Sequence, residues 1–217
     1  MNHMKFKGII FDLDGTVADT GDDLSTGINL MLESFGFEKK SRKEILKHIN
    51  FGAKEFVRGC LPDESLLDEA LNRYKAFYAE CYLDKTYLYD GIAELVESLH
   101  KNNIKMCVLS NKHEDMTKRI VSELLNDDSF VEVVGGSERF PHKPDPKSAL
   151  YLAEKMGFEP DEILYIGDSD VDMKTAINAG MFPLGVTWGY RPEDVLVGAG
   201  AEKIVHSPGE ILGFILG

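Results

Sequence analysis

Asp12 and Asp14 stand one residue apart in Phe11-Asp12-Leu13-Asp14-Gly15-Thr16, at the end of a short apolar run. In extended backbone residues i and i+2 face the same way, so the two carboxylates share a side. Anions that close repel each other unless a cation or a shared proton intervenes. Gly15 permits close backbone approach and opens main-chain amides to an anion. A solvated Asp-Gly turn closing a strand is the plainer reading of the same residues.

Three later segments add complementary groups. Ser110-Asn111-Lys112 follows another apolar run, and a small hydroxyl with loop amides behind it can hold a phosphoryl oxygen. A serine at that place also serves ordinarily as a helix cap. Lys143 lies in Pro141-His142-Lys143-Pro144-Asp145-Pro146, where flanking prolines stiffen the chain and would fix an ammonium toward an anion. A surface turn or a polyproline ligand would use the same residues. Gly167-Asp168-Ser169-Asp170-Val171-Asp172 carries aspartates at alternate positions. An EF-hand would need Gly at its sixth position and Glu at its twelfth, where this chain has Met173 and Ala179. The alternative is a site in which Asp168 joins Asp12 and Asp14, while Asp172, opening the next helix, supports it from behind. An all-oxygen set of few carboxylates suits Mg2+, not zinc.

The elements that must position these residues are visible as well. Near-continuous apolar runs fall at 8–11, 104–109, 130–134, 163–166 and 182–186, as expected of strands buried on both faces of a parallel sheet. Helical patterns lie between them at 92–101, 114–125, 147–156 and 171–179, with Gly157 and Gly180 as stop signals. The alternation predicts an α/β fold with a doubly wound, Rossmann-like parallel sheet. Such sheets bind ligands outside the carboxyl ends of their strands, where the aspartates fall. From Thr20 to Asp84 the rhythm breaks into amphipathic stripes, among them Leu24, Ile28, Leu32 and Ala70, Tyr74, Tyr78. That span is too long for a crossover. It predicts three or four helices in a small cap domain, 20–84, over a core of 1–19 and 85–217.

Hydrophobic residues are 43% and charged residues 28% of the 217, which excludes a disordered, collagen-like or coiled-coil chain. No apolar run is long enough to span a membrane. A net charge of −13 argues against nucleic acid or an anionic membrane as partner. A small anionic substrate answers to local groups instead. Cys60, Cys81 and Cys107 form no C-x-x-C pair and suggest neither a disulfide framework nor a zinc site. The opening MNHMKFKG lacks the apolar stretch of a secretory signal. The expectation is a cytoplasmic protein, a monomer or homodimer, with residues 1–3 a cloning remnant ahead of Met4.

Taken in order, the four segments resemble the motifs of the haloacid dehalogenase-like hydrolase superfamily over nearly the whole chain: Asp12-Leu13-Asp14-Gly15-Thr16, Ser110, Lys143, and Gly167-Asp168 to Asp172. The helical insert looks like that superfamily's type 1 cap. Asp14 departs from the dehalogenases, which lack a carboxylate there, and Thr16 from the hexose-phosphate mutases, where Val is common. Ser110-Asn111-Lys112, His142-Lys143-Pro144-Asp145-Pro146 and Gly185-Val186-Thr187-Trp188-Gly189-Tyr190-Arg191 look most like phosphoglycolate phosphatases.

The resemblance implies a Mg2+-dependent phosphomonoesterase for a small phosphorylated metabolite, with 2-phosphoglycolate leading. Asp12 would attack phosphorus and form an aspartyl phosphate. Mg2+ would be held by Asp12, the Asp14 main-chain carbonyl and Asp168, with Asp172 behind them. Gly15, Thr16, Ser110, Asn111 and Lys143 would bind phosphoryl oxygens. Asp14 would give a proton to the leaving alcohol and take one from water. An inorganic pyrophosphatase, a phosphosugar phosphatase or a β-phosphoglucomutase-like enzyme would use the same machinery. A phospho-accepting signalling receiver is the rival of another class, but it would be much shorter and carry adjacent acids in place of Asp-x-Asp. In the insert, the turn at 50–54 is placed to meet the leaving group through Gly52 and Lys54. Arg58 is a further cation for a substrate carboxylate, with surface pairing its plainer role. Trp188 and Tyr190 read as packing residues.

Overall fold

In the computed structural model, which describes residues 6–49, 51–125 and 127–217, the chain opens with β1 (Gly8–Phe11) and β2 (Ala18–Asp19). Four helices follow: α1 (Gly21–Ser34), α2 (Arg42–Leu46), α3 (Ala53–Cys60) and α4 (Leu67–Cys81). Next come β3 (Tyr87–Leu88), α5 (Ile92–Lys101), β4 (Lys105–His113), α6 (Glu114–Leu124) and β5 (Glu132–Gly136). The chain continues through α7 (Lys147–Met156), β6 (Ile163–Gly167), α8 (Asp170–Ala179) and β7 (Phe182–Val186). It closes with α9 (Glu193–Gly198), β8 (Lys203–Val205) and α10 (Pro208–Leu216). The suggested remnant at 1–3 and Asn50 of the turn lie outside the described residues.

Six strands form one parallel sheet in the order β5-β4-β1-β6-β7-β8. Its helix-flanked, doubly wound architecture is the one expected. Side chains along β1 alternate between two cores. Ile9 and Phe11 pack in the one that holds Met106, Val108, Leu164 and Ile166. Ile10 packs in the other, with Cys107, Leu109 and Tyr165. Burial on both faces explains why these runs are unbroken rather than alternating. The order reverses between β1 and β6, which opens a crevice at their carboxyl ends.

The helices α1 to α4 bury an apolar core of their own, with Leu24, Ile28 and Met31 against Phe56, Ala70 and Tyr74. The chain leaves and re-enters the sheet region through the antiparallel pair β2 and β3, and Tyr82 packs against both the helical core and the sheet's. A capping box, Ser41 to Glu44, starts α2.

Two local expectations need correction. The second predicted strand runs on to His113, with its register against β5 irregular after Leu109. Ser110, Asn111 and Lys112 therefore lie within the extended strand, in the stretch between the Leu109 and His113 pairs where the ladder is irregular. The periodicity also misses β8 and α9, which bury one residue each, Val205 and Leu196. No helix among the described residues is long and apolar enough to cross a membrane. The three cysteines are free and buried.

Candidate active site

Asp12 directly follows β1, and its amide donates to the Ile166 carbonyl at 2.9 Å, so sheet pairing holds the backbone up to the carboxylate. The Lys143 ammonium donates to Asp12 Oδ1 at 2.8 Å, to Asp172 Oδ1 at 2.6 Å and to the Leu109 carbonyl at 3.2 Å. All three of its donors thus have acceptors. Asp12, Lys143 and Asp172 are 3%, 4% and 0% exposed, so the surface-turn reading of the 141–146 segment falls. Burial alone would drive the lysine's pKa down. Asp12 and Asp172 outweigh that and hold it well above its ordinary value. Asn111 clamps the same residue from β4, accepting from the Lys143 amide at 2.8 Å and donating to its carbonyl at 3.1 Å.

Asp168 follows β6. Its Oδ2 accepts from the Tyr190 amide at 2.6 Å and its Oδ1 from the Thr16 hydroxyl at 3.5 Å. Gly15 has φ +88°, and a Cβ there would come 2.3 Å from Asp168 Oδ2, so only glycine fits on both counts. Asp172 caps the start of α8 reciprocally with Ser169, which leaves its oxygens engaged by Lys143 and Ser169. One oxygen each from Asp12, Asp168 and Asp172 lies within 4.8 Å of the others. Burial first, and then Asp172, push the Asp12 carboxyl well above the usual carboxylate range and Asp168 up to about 7. Negative charge so concentrated, presented only by hard oxygens, fits a divalent cation of the Mg2+ kind.

Asp14 is the fourth carboxyl group at this rim and 7% exposed. Its Oδ1 accepts from the Thr20 hydroxyl and its Oδ2 from the Ser110 hydroxyl at 3.4 Å, and Oδ1 forms an ion pair with the Lys112 ammonium at 3.1 Å. A cavity of about 840 Å3 opens between these strand ends and the helical insert. Asp12, Asp14, Ser110 and Lys143 line one side of it, and Gly52, Lys54 and Tyr74 the other.

Not every residue singled out in the sequence falls where expected. The Gly15 and Thr16 amides are spent inside their own loop, on the carbonyls of Ala18 (2.9 Å) and Leu13 (3.3 Å). Neither residue lines the cavity; the loop closes too tightly to present those amides to an anion. The Asn111 side chain holds Lys143, and the residue lines the cavity beside Ser110. Gly52 starts α3 at φ +82°, and a Cβ on it would come 3.1 Å from His142 Nε2, so the turn sits tightly on the segment carrying Lys143. Lys54 lines the cavity but is half exposed and 3.4 Å from Asp68. Arg58 does not line it. One helical turn farther from Gly52, it pairs with Glu55 and, at 3.0 Å, with Glu64. Trp188 and Tyr190 do more than pack. The Trp188 indole donates to the Thr16 carbonyl at 3.0 Å, and the Tyr190 hydroxyl donates to Asp19 at 3.0 Å while accepting from the Thr20 amide at 2.9 Å. Together they fasten the Asp14 loop. Lys112, Thr20 and His142 carry no role in the sequence reading; for Lys112 the signal was its place directly after Ser110-Asn111.

A family model described as haloacid dehalogenase-like hydrolase matches residues 9–186. The chain belongs to that family. It is 30% identical over 190 residues to phosphoglycolate phosphatase 1 of Pseudomonas aeruginosa, covering 84% of this chain and 70% of that one. It is 28% identical over 222 residues to a phosphoglycolate phosphatase of Vibrio parahaemolyticus, covering 98% and 97%. The crystal structure of a predicted phosphoglycolate phosphatase from Haemophilus somnus matches with a TM-score of 0.91 at 26% identity, over 98% of this chain and 99% of that one. Within the family the chain is an enzyme of the phosphatase kind.

Proposed function

We propose that this protein is a Mg2+-dependent phosphomonoesterase acting on a small phosphorylated metabolite, with 2-phosphoglycolate the leading substrate. The observation that carries the reading is the Asp12 carboxylate held against the buried Lys143 ammonium at the cavity wall, 2.8 Å apart. An attacking oxygen and a cation for the phosphoryl group stand there side by side.

Asp12, the Asp14 main-chain carbonyl and Asp168 would hold Mg2+, with Asp172 behind them; the ion would offset the repulsion between carboxylate and phosphate dianion. Asp12 attacks phosphorus in line, forming the aspartyl phosphate as the bond to the leaving oxygen breaks. The fixed Lys143 charge stabilises the phosphoryl oxygens where charge develops, and the Ser110 hydroxyl holds one of them. Asp14 gives its proton to the leaving alcohol, then takes one from the water that opens the acyl phosphate. Residues 20–84 act as a cap, closing the cavity and excluding bulk water from the first step. The enzyme works in the cytoplasm as a monomer or homodimer.

The names of the two relatives support phosphoglycolate over the alternatives. The test is a ranking of kcat/KM in Mg2+ over 2-phosphoglycolate, pyrophosphate, hexose phosphates and p-nitrophenyl phosphate. The expected result is many turnovers, with 2-phosphoglycolate first. A lead for pyrophosphate or a hexose phosphate moves the substrate but keeps the machinery. One stable phosphoryl group per chain would instead mark a receiver.

A further inference from the structure

The reaction just described makes no use of Lys112, although its side chain is buried in the same site at 5% exposure. It stands near the end of β4, two residues past Ser110. Its ammonium lies 3.1 Å from Asp14 Oδ1, donates to the Tyr78 hydroxyl at 2.7 Å and sits 4.7 Å from the Tyr78 ring centroid. Tyr78 in turn stacks on Tyr74, 5.5 Å away and 8° from parallel, so α4 fixes the ammonium at the cavity wall. The hydrogen bond to Tyr78 and the ion pair with Asp14 leave it with donor capacity to spare.

The other lysines of the cavity are placed differently. Lys143 spends all three donors on Asp12, Asp172 and the Leu109 carbonyl. Lys54 and Lys75 are exposed on the insert. The site therefore carries two buried ammonium groups, one on each aspartate: Lys143 on Asp12 and Lys112 on Asp14.

We propose that Lys112 is the specificity-determining residue for an anionic group carried on the leaving part of the substrate. The inference rests on the reading of Asp12 as nucleophile and Asp14 as proton donor. The leaving oxygen must then sit against Asp14, and a carboxylate two or three bonds beyond it reaches the ammonium on that aspartate. Its remaining donor gives such a carboxylate a charge-assisted hydrogen bond away from bulk water. A neutral leaving group gives that buried donor nothing, and a polar group left unpaired in a closed site is costly. The substrate class selected is a phosphate ester whose alcohol carries a carboxylate on or next to the ester carbon. The selecting charge then comes from the sheet, and the insert contributes the Tyr78 hydroxyl and ring that hold it in place.

The experiment compares kcat/KM on 2-phosphoglycolate and on ethyl phosphate, which lacks only the carboxylate, for wild type, Lys112→Met and Lys112→Gln. The ratio of the two values is expected to fall about 10²-fold in both variants, mainly through KM. Gln keeps donors for Asp14 and Tyr78 without the charge, so it separates charge from positioning and stands in if the Met variant does not fold. Equal falls on both substrates would overturn the proposal and leave Lys112 as a support for Asp14. A wild-type preference retained in the variants would overturn it too, with the substrate reading intact. A wild type that prefers neither ester overturns the phosphoglycolate reading itself and this inference with it.

Discussion

The Lys143 ammonium lies 2.8 Å from Asp12 Oδ1, although 131 residues of sequence separate the two. Asn111, from a third segment, holds the Lys143 backbone by both its amide and its carbonyl. The ends of β1 and β4 and the turn that carries Lys143 thus fix one charge pair, and the geometry does not depend on flexible side chains finding each other. In the proposed reaction, an ammonium so placed would meet a phosphoryl group at the point where charge accumulates during transfer.

Replacing Lys143 by Met is expected to lower kcat/KM by about 10²-fold or more, the scale of losing one oxyanion donor. Lys143→Arg should not restore it, because a planar fork does not replace a compact charge that serves three acceptors. Steady-state kinetics of the two variants decides. A Met variant as active as wild type would return this segment to a structural role.

Activity is expected to require Mg2+ and to be inhibited by Ca2+. Ca2+ takes about six to eight oxygen ligands and would draw both oxygens of Asp12 into coordination, occupying the lone pair that attacks. Initial rates across Mg2+, Ca2+ and excess chelator test this. Full activity in chelator contradicts it.

Asp168 supplies a pH prediction. Burial first, and then Asp172, push its pKa up to about 7 in the metal-free protein. An acid whose pKa rises on folding favours the folded state fully below its unfolded value of about 3.9, and loses that contribution as pH climbs toward its folded value. The melting temperature of the metal-free protein should therefore fall across that window. Mg2+ should raise it more at about pH 8 than at about pH 5. Asp168→Asn should flatten the fall, abolish the stabilisation by Mg2+ and remove activity. Calorimetry with and without the ion measures all three effects, and a Mg2+ shift independent of pH would count against the charge cluster as its cause.

In the insert, Gly52→Ala and Arg58→Ala should part company. Gly52 has φ +82° and ψ 167°, a region almost closed to other residues, and its Cβ position is 3.1 Å from His142 Nε2. Alanine there should cost about 1–3 kcal/mol of stability and raise KM by displacing the turn over the cavity. Arg58→Ala removes only partly exposed pairs and should leave kcat/KM within about twofold. A larger loss for Arg58 than for Gly52 would restore the arginine as a substrate ligand.

Asp12 and Asp168 are legible in the sequence because each directly follows a buried apolar run, and a parallel sheet brings such ends to one rim. Ser110 is legible for the same reason. Lys143 is legible through the prolines at 141, 144 and 146 that stiffen its segment. What escapes depends on distances that no local pattern encodes. The tightness of the loop at 13–18 decides that the Gly15 and Thr16 amides are used internally. Lys54 and Arg58 share a helical face, yet Glu64, from beyond α3, helps to draw one of them away from the cavity. The pairing of Lys112 with Tyr78 joins β4 to α4, two elements whose approach only the packed structure defines. The short β8 and α9 bury too few residues to show a period.

The central claim is that Asp12 carries the phosphoryl group. Turnover of 2-phosphoglycolate is quenched within the first cycle, the acyl phosphate is reduced with borohydride, and the peptides are read by mass spectrometry. Homoserine should appear at position 12 in the wild type and nowhere in Asp12→Asn, which should fold, bind phosphate with Mg2+ and turn over slower by several orders of magnitude. Homoserine at another aspartate, or turnover of Asp12→Asn within about tenfold of wild type, would contradict the account.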